Sequence, residues 1–243
     1  MLDSTNYEKT YESICKFIST SSSPGYITVN NVHTVVEGVL NPDFGHIIND
    51  GFMALPDGKP LSIVARWKGD KNMERVFGPT LLEKILNWSK NSEIRHYFFG
   101  STENTLELME TVIKTNYPSI KTCGFTSPPF SNLTTEKNLE YISQMNKAEA
   151  DIIWVALGAP KQEKWMAENI KYLNKGVLIG IGAGFDYLAG QTKHAPEWMK
   201  NYSLEWLYRL IQEPKRLWKR YCITIPIFIG LNILEFTKLK KFN

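Results

Sequence analysis

Five short apolar runs recur along the chain, at residues 26–30, 52–55, 96–99, 152–157 and 177–181. Each is the length of a strand and is bounded by Gly, Pro, Asn or Asp, so each predicts a buried strand. Between them, residues 80–89, 102–115, 136–145 and 161–172 repeat apolar positions at helical spacing. Leu2, Ile14, Phe17 and Ile18 predict a further amphipathic helix that ends in the loop at 19–25. Strands alternating with helices of this length predict an α/β fold, a Rossmann-like and mostly parallel sheet with helices on both faces. Functional sites in such sheets form outside the carboxyl ends of the strands. Beyond Gly190 the pattern changes to helical pieces rich in Trp, Tyr and Arg, which predicts a core at 1–190 and a helical appendage at 191–243.

The strand ends offer three candidate sites. Leu55-Pro56-Asp57-Gly58 puts a carboxylate at a strand-to-helix turn, where Asp57 could serve as a helix cap or as a general base. Thr28-Val29-Asn30-Asn31 ends a strand in polar side chains. Their amides suit sugar hydroxyls or a uracil edge, and equally suit a turn that bonds its own backbone. The segment Gly158-Ala159-Pro160-Lys161-Gln162-Glu163 opens a helix whose first turn could hold an anion, with Gln162 in reach of a base or sugar; a plain loop-to-helix junction fits as well. The glycines at 180, 182 and 184 are spaced G-x-G-x-G and come late in the chain. They fit close backbone packing better than a dinucleotide fingerprint.

Charge changes the picture in the tail. The 243 residues carry a net charge of +3, but residues 191–243 hold ten basic and four acidic side chains, leaving the rest mildly acidic. Arg209, Arg216 and Arg220 are spaced seven and four apart, as on one helix face, although Pro214 divides that stretch or starts a second helix. The apolar run 223–234 follows, and then Lys238, Lys240 and Lys241. This order favours an anionic membrane surface over nucleic acid. Twelve residues are too few to cross a ~30 Å hydrocarbon core, so no membrane span is expected. Cys15, Cys123 and Cys222 are far apart and form no C-x-x-C pair, which fits a reducing cytoplasm, and no signal peptide is visible. There is no Asp-x-Asp, no His/Cys metal spacing, no phosphate-binding Gly-x-x-x-x-Gly-Lys and no Gly-x-Ser-x-Gly. Two other classes remain as rivals: a nucleic-acid-binding α/β domain using the basic tail, and a Rossmann-type oxidoreductase.

Seven elements in order resemble the WecG/TagA/CpsF glycosyltransferase family over nearly the whole chain. They are Thr28-Val29-Asn30, Leu55-Pro56-Asp57-Gly58, Arg75 with Gly78, Gly158 to Glu163, the stretch 182–190, Ala195-Pro196-Glu197-Trp198, and 204–221. The resemblance implies an inverting, metal-independent enzyme that needs no cofactor. Such an enzyme moves an N-acetylmannosamine-type or related sugar from a UDP donor to a polyprenyl-diphosphate-linked saccharide in cell-surface polymer synthesis. It implies a cytoplasmic protein, peripheral on the inner face of the membrane, and is compatible with a homo-oligomer. By the same resemblance Asp57 is the general base. Thr28, Asn30, Arg75 and Gln162 serve the donor, and Arg209, Arg216 and Arg220 serve the lipid diphosphate. His194 and Lys219 stand where arginine is more usual in the family.

Overall fold

The computed structural model describes residues 2–129, 133–237 and 239. In chain order, α1 (Tyr7–Thr20) precedes β1 (Gly25–Asn30), and α2 (Val32–Leu40) and α3 (Pro42–Asn49) lead to β2 (Met53–Pro56). Helices α4 (Lys59–Trp67) and α5 (Gly78–Trp88) lead to β3 (Arg95–Gly100), and α6 (Glu103–Asn116) leads to β4 (Lys121–Thr126). Helix α7 (Thr135–Lys147) leads to β5 (Ile152–Ala156), and α8 (Lys161–Asn169) to β6 (Val177–Gly180). The chain ends in α9 (Gly184–Leu188), α10 (Glu197–Asn201), α11 (Glu205–Gln212) and α12 (Pro214–Phe236).

The six strands form one sheet in the order β2-β1-β6-β5-β3-β4, and every pair is parallel. Residues alternate across it. On β1, Ile27 and Val29 join Leu55, Phe98, Trp154 and Ile179 in one core layer, packed by Ile14, Leu82, Ile85 and Phe185. Tyr26 faces the opposite layer, with Tyr97, Phe99, Ile153, Val155 and Leu178 under Trp165 and Met166 of α8. Thr28 and Asn30 share that second face by the two-residue period, and both are fully buried.

Local chemistry sets the boundaries. Asn6, Thr102 and Thr134 cap α1, α6 and α7 by accepting backbone N–H bonds, and Asn31 caps α2 in a reciprocal pair with Thr34. Proline in the first turn starts α3, α4, α5 and α12. Strand β3 ends on Gly100 at φ +127°, where an added Cβ lies 2.4 Å from the Ala156 carbonyl oxygen on β5. Both the backbone conformation and the space there demand glycine. Gly100→Ala is expected to lower stability by about 1–3 kcal/mol, read as a lower urea midpoint at unchanged slope.

All five expected strands are present, and the parallel, doubly covered sheet is as expected. Strand β4 and helices α2 and α3 had not been expected. The division at Pro214 falls between α11 and α12. The length argument against a membrane span does not hold. Helix α12 runs 23 residues without a break through Pro226, and among the described residues it alone is long and apolar enough, by length and composition, to cross a membrane. The apolar run is only the later part of that helix, which is why counting the run alone underestimates its length. Helix α12 also folds back on the body: Lys68 bonds Glu235 at 2.6 Å, and the rings of Trp67 and Phe236 lie 6.3 Å apart. Lys238, Lys240 and Lys241 lie outside the described residues.

Candidate active site

A cavity of about 350 Å³ opens at the carboxyl ends of β1 and β2. Its floor is the turn from β2 into α4 and the start of α2; its roof is α11 and α12. Two main-chain bonds fix the floor. Asp57 N–H donates to the Asn30 carbonyl at 2.8 Å, and Val76 N–H donates to the Pro56 carbonyl at 2.7 Å. The second bond lays the segment before α5 along the exit of β2 and so brings Arg75 beside Asp57.

Asp57 does not cap α4. The cap position is Gly58, and no side chain bonds the helix start. The helix that follows Asp57 thus starts without its side chain, and the carboxylate turns instead to Gly78 N–H at the start of α5. The Asp57 side chain is 17% exposed, and Oδ1 is buried with no hydrogen-bond partner among the described residues. Burial pushes the Asp57 carboxyl up to about 6. Glu205 adds to that shift, while Arg75, Arg209 and a hydrogen bond from Gly78 N–H oppose it. At neutral pH Asp57 is thus ionised yet more basic than an ordinary carboxylate.

Arg75 is held from three sides. Its Nε donates to the Asp57 carbonyl at 2.5 Å, its Nη1 donates to Glu205 at 2.6 Å, and its guanidinium lies 4.4 Å from the centre of the Phe77 ring. Its Nη2 stands 3.9 Å from Asp57 Oδ1, an ion-pair distance and too long for a hydrogen bond.

The tail arginines separate. Arg209 and Arg220 line the cavity with Asp57, and the buried Nε of Arg209 has no hydrogen-bond partner among the described residues. Arg216 is absent from the lining. Its side chain is 59% exposed and pairs with Glu213 at 2.6 Å. Pro214 puts Arg209 on α11 and both Arg216 and Arg220 on α12; within α12, Arg216 in the first turn is drawn to Glu213, while Arg220 one turn on lines the cavity. His33 also lines the cavity, with a buried Nδ1 that has no hydrogen-bond partner among the described residues; burial and Arg220 hold its pKa below the usual imidazole value.

Thr28, Asn30 and Gln162 are buried and do not belong to the cavity lining. Asn30 Nδ2 donates to Thr28 Oγ1 at 2.8 Å, and Asn30 Oδ1 is left without a partner. Gln162 Oε1 accepts from Gly182 N–H at 3.0 Å, and its Nε2 donates to Glu163 Oε1 at 2.8 Å. Glu163 is buried in the first turn of α8, and burial raises its pKa to about 7. That helix start therefore already holds a carboxyl group of its own. The glycine cluster at 180–184 packs closely: a Cβ on Gly180 would meet Met166 and Gln162, and one on Gly184 would meet Ile181. Among the described residues, no three His, Cys, Asp or Glu side chains come together.

The sequence analysis missed His33 and Glu205. Glu205 had a visible signal, as an acidic residue one helical turn before Arg209 in a basic, aromatic stretch.

The model of the glycosyl transferase WecG/TagA/CpsF family matches residues 1–242. The chain belongs to that family. The transferase is 29% identical over 215 residues to the N-acetylglucosaminyldiphosphoundecaprenol N-acetyl-beta-D-mannosaminyltransferase of Bacillus subtilis (strain 168), covering 88% of this chain and 81% of the relative. It is 23% identical over 240 residues to the enzyme of the same name from Staphylococcus aureus (strain MW2), covering 98% of this chain and 92% of that one. The second match, at 98% of this chain, takes in the tail helices as well as the sheet.

Proposed function

We propose that this transferase moves N-acetylmannosamine from UDP to a polyprenyl-diphosphate-linked N-acetylglucosamine, with inversion at the anomeric carbon. The acceptor and the β product follow the names of the relatives; the UDP donor follows the family resemblance. The observation that carries the reading is the set of buried polar atoms without partners lining one cavity: Asp57 Oδ1, Arg209 Nε and His33 Nδ1. Buried polar groups are normally satisfied, so a cluster left open calls for a polar ligand. Here the atoms are suited to a hydroxyl and an oxyanion.

In the proposed step the acceptor hydroxyl gives its proton to Asp57 Oδ1 as its oxygen bonds to the anomeric carbon. The bond from that carbon to the phosphate oxygen breaks, and its electron pair leaves with UDP. Arginine side chains offset the diphosphate charge in a site of low dielectric. We assign Arg75 to the donor diphosphate, and Arg209 and Arg220 to the acceptor diphosphate. Thr28, Asn30 and Gln162 shape the donor pocket from beneath. Arg216 then serves the membrane surface rather than the site.

Residues 191–243 act in this reading as an appendage that closes the site and rests on the inner face of the membrane. Exposed Trp218, Ile223, Ile229, Ile233 and Phe236 on α12 and Trp67 at the end of α4 support that placement.

Ligand-dependent melting separates the rivals. UDP at ~100 times its dissociation constant is expected to stabilise the protein by ~2.7 kcal/mol, with no shift from NAD or single-stranded RNA. A shift with NAD or RNA and none with UDP removes the reading.

A further inference from the structure

The base and Arg75 are neighbours, yet they do not form the forked pair that a guanidinium and a carboxylate usually make. The reason lies in the tail. Glu205, in the first turn of α11 and 8% exposed, accepts the Arg75 Nη1 bond at 2.6 Å, while Nη2 stays 3.9 Å from Asp57 Oδ1. The Asp57 carbonyl holds Nε, and the Phe77 ring fixes the plane of the guanidinium. Arg75 is thus turned toward Glu205, and Asp57 Oδ1 is left without a hydrogen-bond partner.

We propose that Glu205 is a positioning residue: by holding Arg75, it keeps the guanidinium off the Asp57 carboxylate and leaves Oδ1 open to a substrate hydroxyl. The inference rests on the reading of Asp57 as the base. It gives the tail a role inside the chemistry besides contact with lipid, because a core that lacks α11 has no Glu205 to draw Arg75 aside.

The other groups around Asp57 do not substitute for this contact. Arg209 of α11 acts on the carboxylate by charge, Gly78 N–H bonds it, and Tyr7 of α1 and Tyr187 of α9 lie within electrostatic range. His33 of α2, Lys59 of α4, Lys200 of α10, and Arg220 and Tyr221 of α12 line the same cavity. Among the described residues, Glu205 is the other carboxylate lining the cavity, and it alone bonds the Arg75 guanidinium through a carboxylate oxygen at hydrogen-bond distance.

The test is the titration of the Asp57 carboxyl carbon by NMR, assigned through Asp57→Asn and run beside the pH dependence of kcat/KM. In Glu205→Leu, which removes both the charge and the acceptor, Arg75 is released onto Asp57. The titration midpoint is expected to fall by about one to two pH units, and the acid limb of kcat/KM to fall with it. In an Arg75→Met background the same Glu205 change produces a much smaller fall, because no guanidinium remains to be released. An unmoved or raised midpoint in Glu205→Leu overturns the inference, as does an equal fall in both backgrounds. The NMR midpoint is read without turnover, so a lowered midpoint in a protein that transfers no sugar refutes the catalytic reading and leaves the Arg75 geometry standing.

Discussion

Asp57→Asn is expected to lower turnover by ~10²–10⁴-fold, measured as UDP release at saturating donor and acceptor. Asn keeps the size of the side chain but cannot take a proton. The change leaves the backbone undisturbed, because Gly58 occupies the cap of α4 and the Asp57 main chain is held by its own bonds to Asn30 and Arg75. Stability follows the sign of the pKa shift. Burial raises the carboxyl to about 6 in the folded protein, above the ordinary value of 3.8. The protonated form is therefore favoured on folding, and that contribution is fully present below about 4 and lost as pH rises through 6. At neutral pH the ionised Asp57 weakens the fold, so Asn in its place is expected to hold or raise the melting temperature. Full turnover in the variant, or a collapse of its melting temperature, speaks against Asp57 as a base placed at some cost to stability.

The second large effect is expected at Arg209. Its Nε is buried in the cavity that Asp57 lines and has no hydrogen-bond partner among the described residues, so it acts on a diphosphate more strongly than a surface arginine can. Arg209→Ala is expected to lower kcat/KM for the lipid-linked acceptor by ~10–10²-fold, the scale of losing charge-assisted hydrogen bonds to a bound diphosphate. Arg216→Ala serves as the internal control. It removes an exposed charge whose partner is Glu213 on the surface, and kcat/KM for the acceptor is expected to change by no more than a few-fold. Equal losses at the two positions would contradict the division between the cavity-lining Arg209 and the exposed Arg216.

Much of the fold is legible in the sequence because parallel strands buried on both faces read as plain apolar runs. Residues 152–157 and 177–181 are such runs, and they lie in the middle of the sheet as β5 and β6. Strand β4 escaped because Lys121-Thr122-Cys123-Gly124-Phe125-Thr126 is mostly polar. As an edge strand it has one neighbour and is only partly buried, so little selects for apolar side chains. Helices α2 and α3 escaped because each is short and is bounded by Asn31 and Asn41, residues that read equally well as turns.

The site was legible where one residue carries its own context. Asp57 is such a case, set between a strand-ending proline and a glycine. Contacts between distant segments were not legible. Nothing local to Glu205 says that it reaches Arg75, and the spacing of Arg216 with its neighbours says nothing of which way α12 turns after Pro214.

Transfer of a sugar to a lipid-linked acceptor is measured most directly by mass spectrometry. The enzyme is incubated with UDP-N-acetylmannosamine and polyprenyl-diphosphate-linked N-acetylglucosamine, and both products are counted. The expected result is a lipid heavier by one N-acetylhexosamine, with an equal amount of UDP, and both abolished together in Asp57→Asn. A lipid that stays unmodified across a panel of UDP-sugars, under conditions where UDP stabilises the fold, would contradict it.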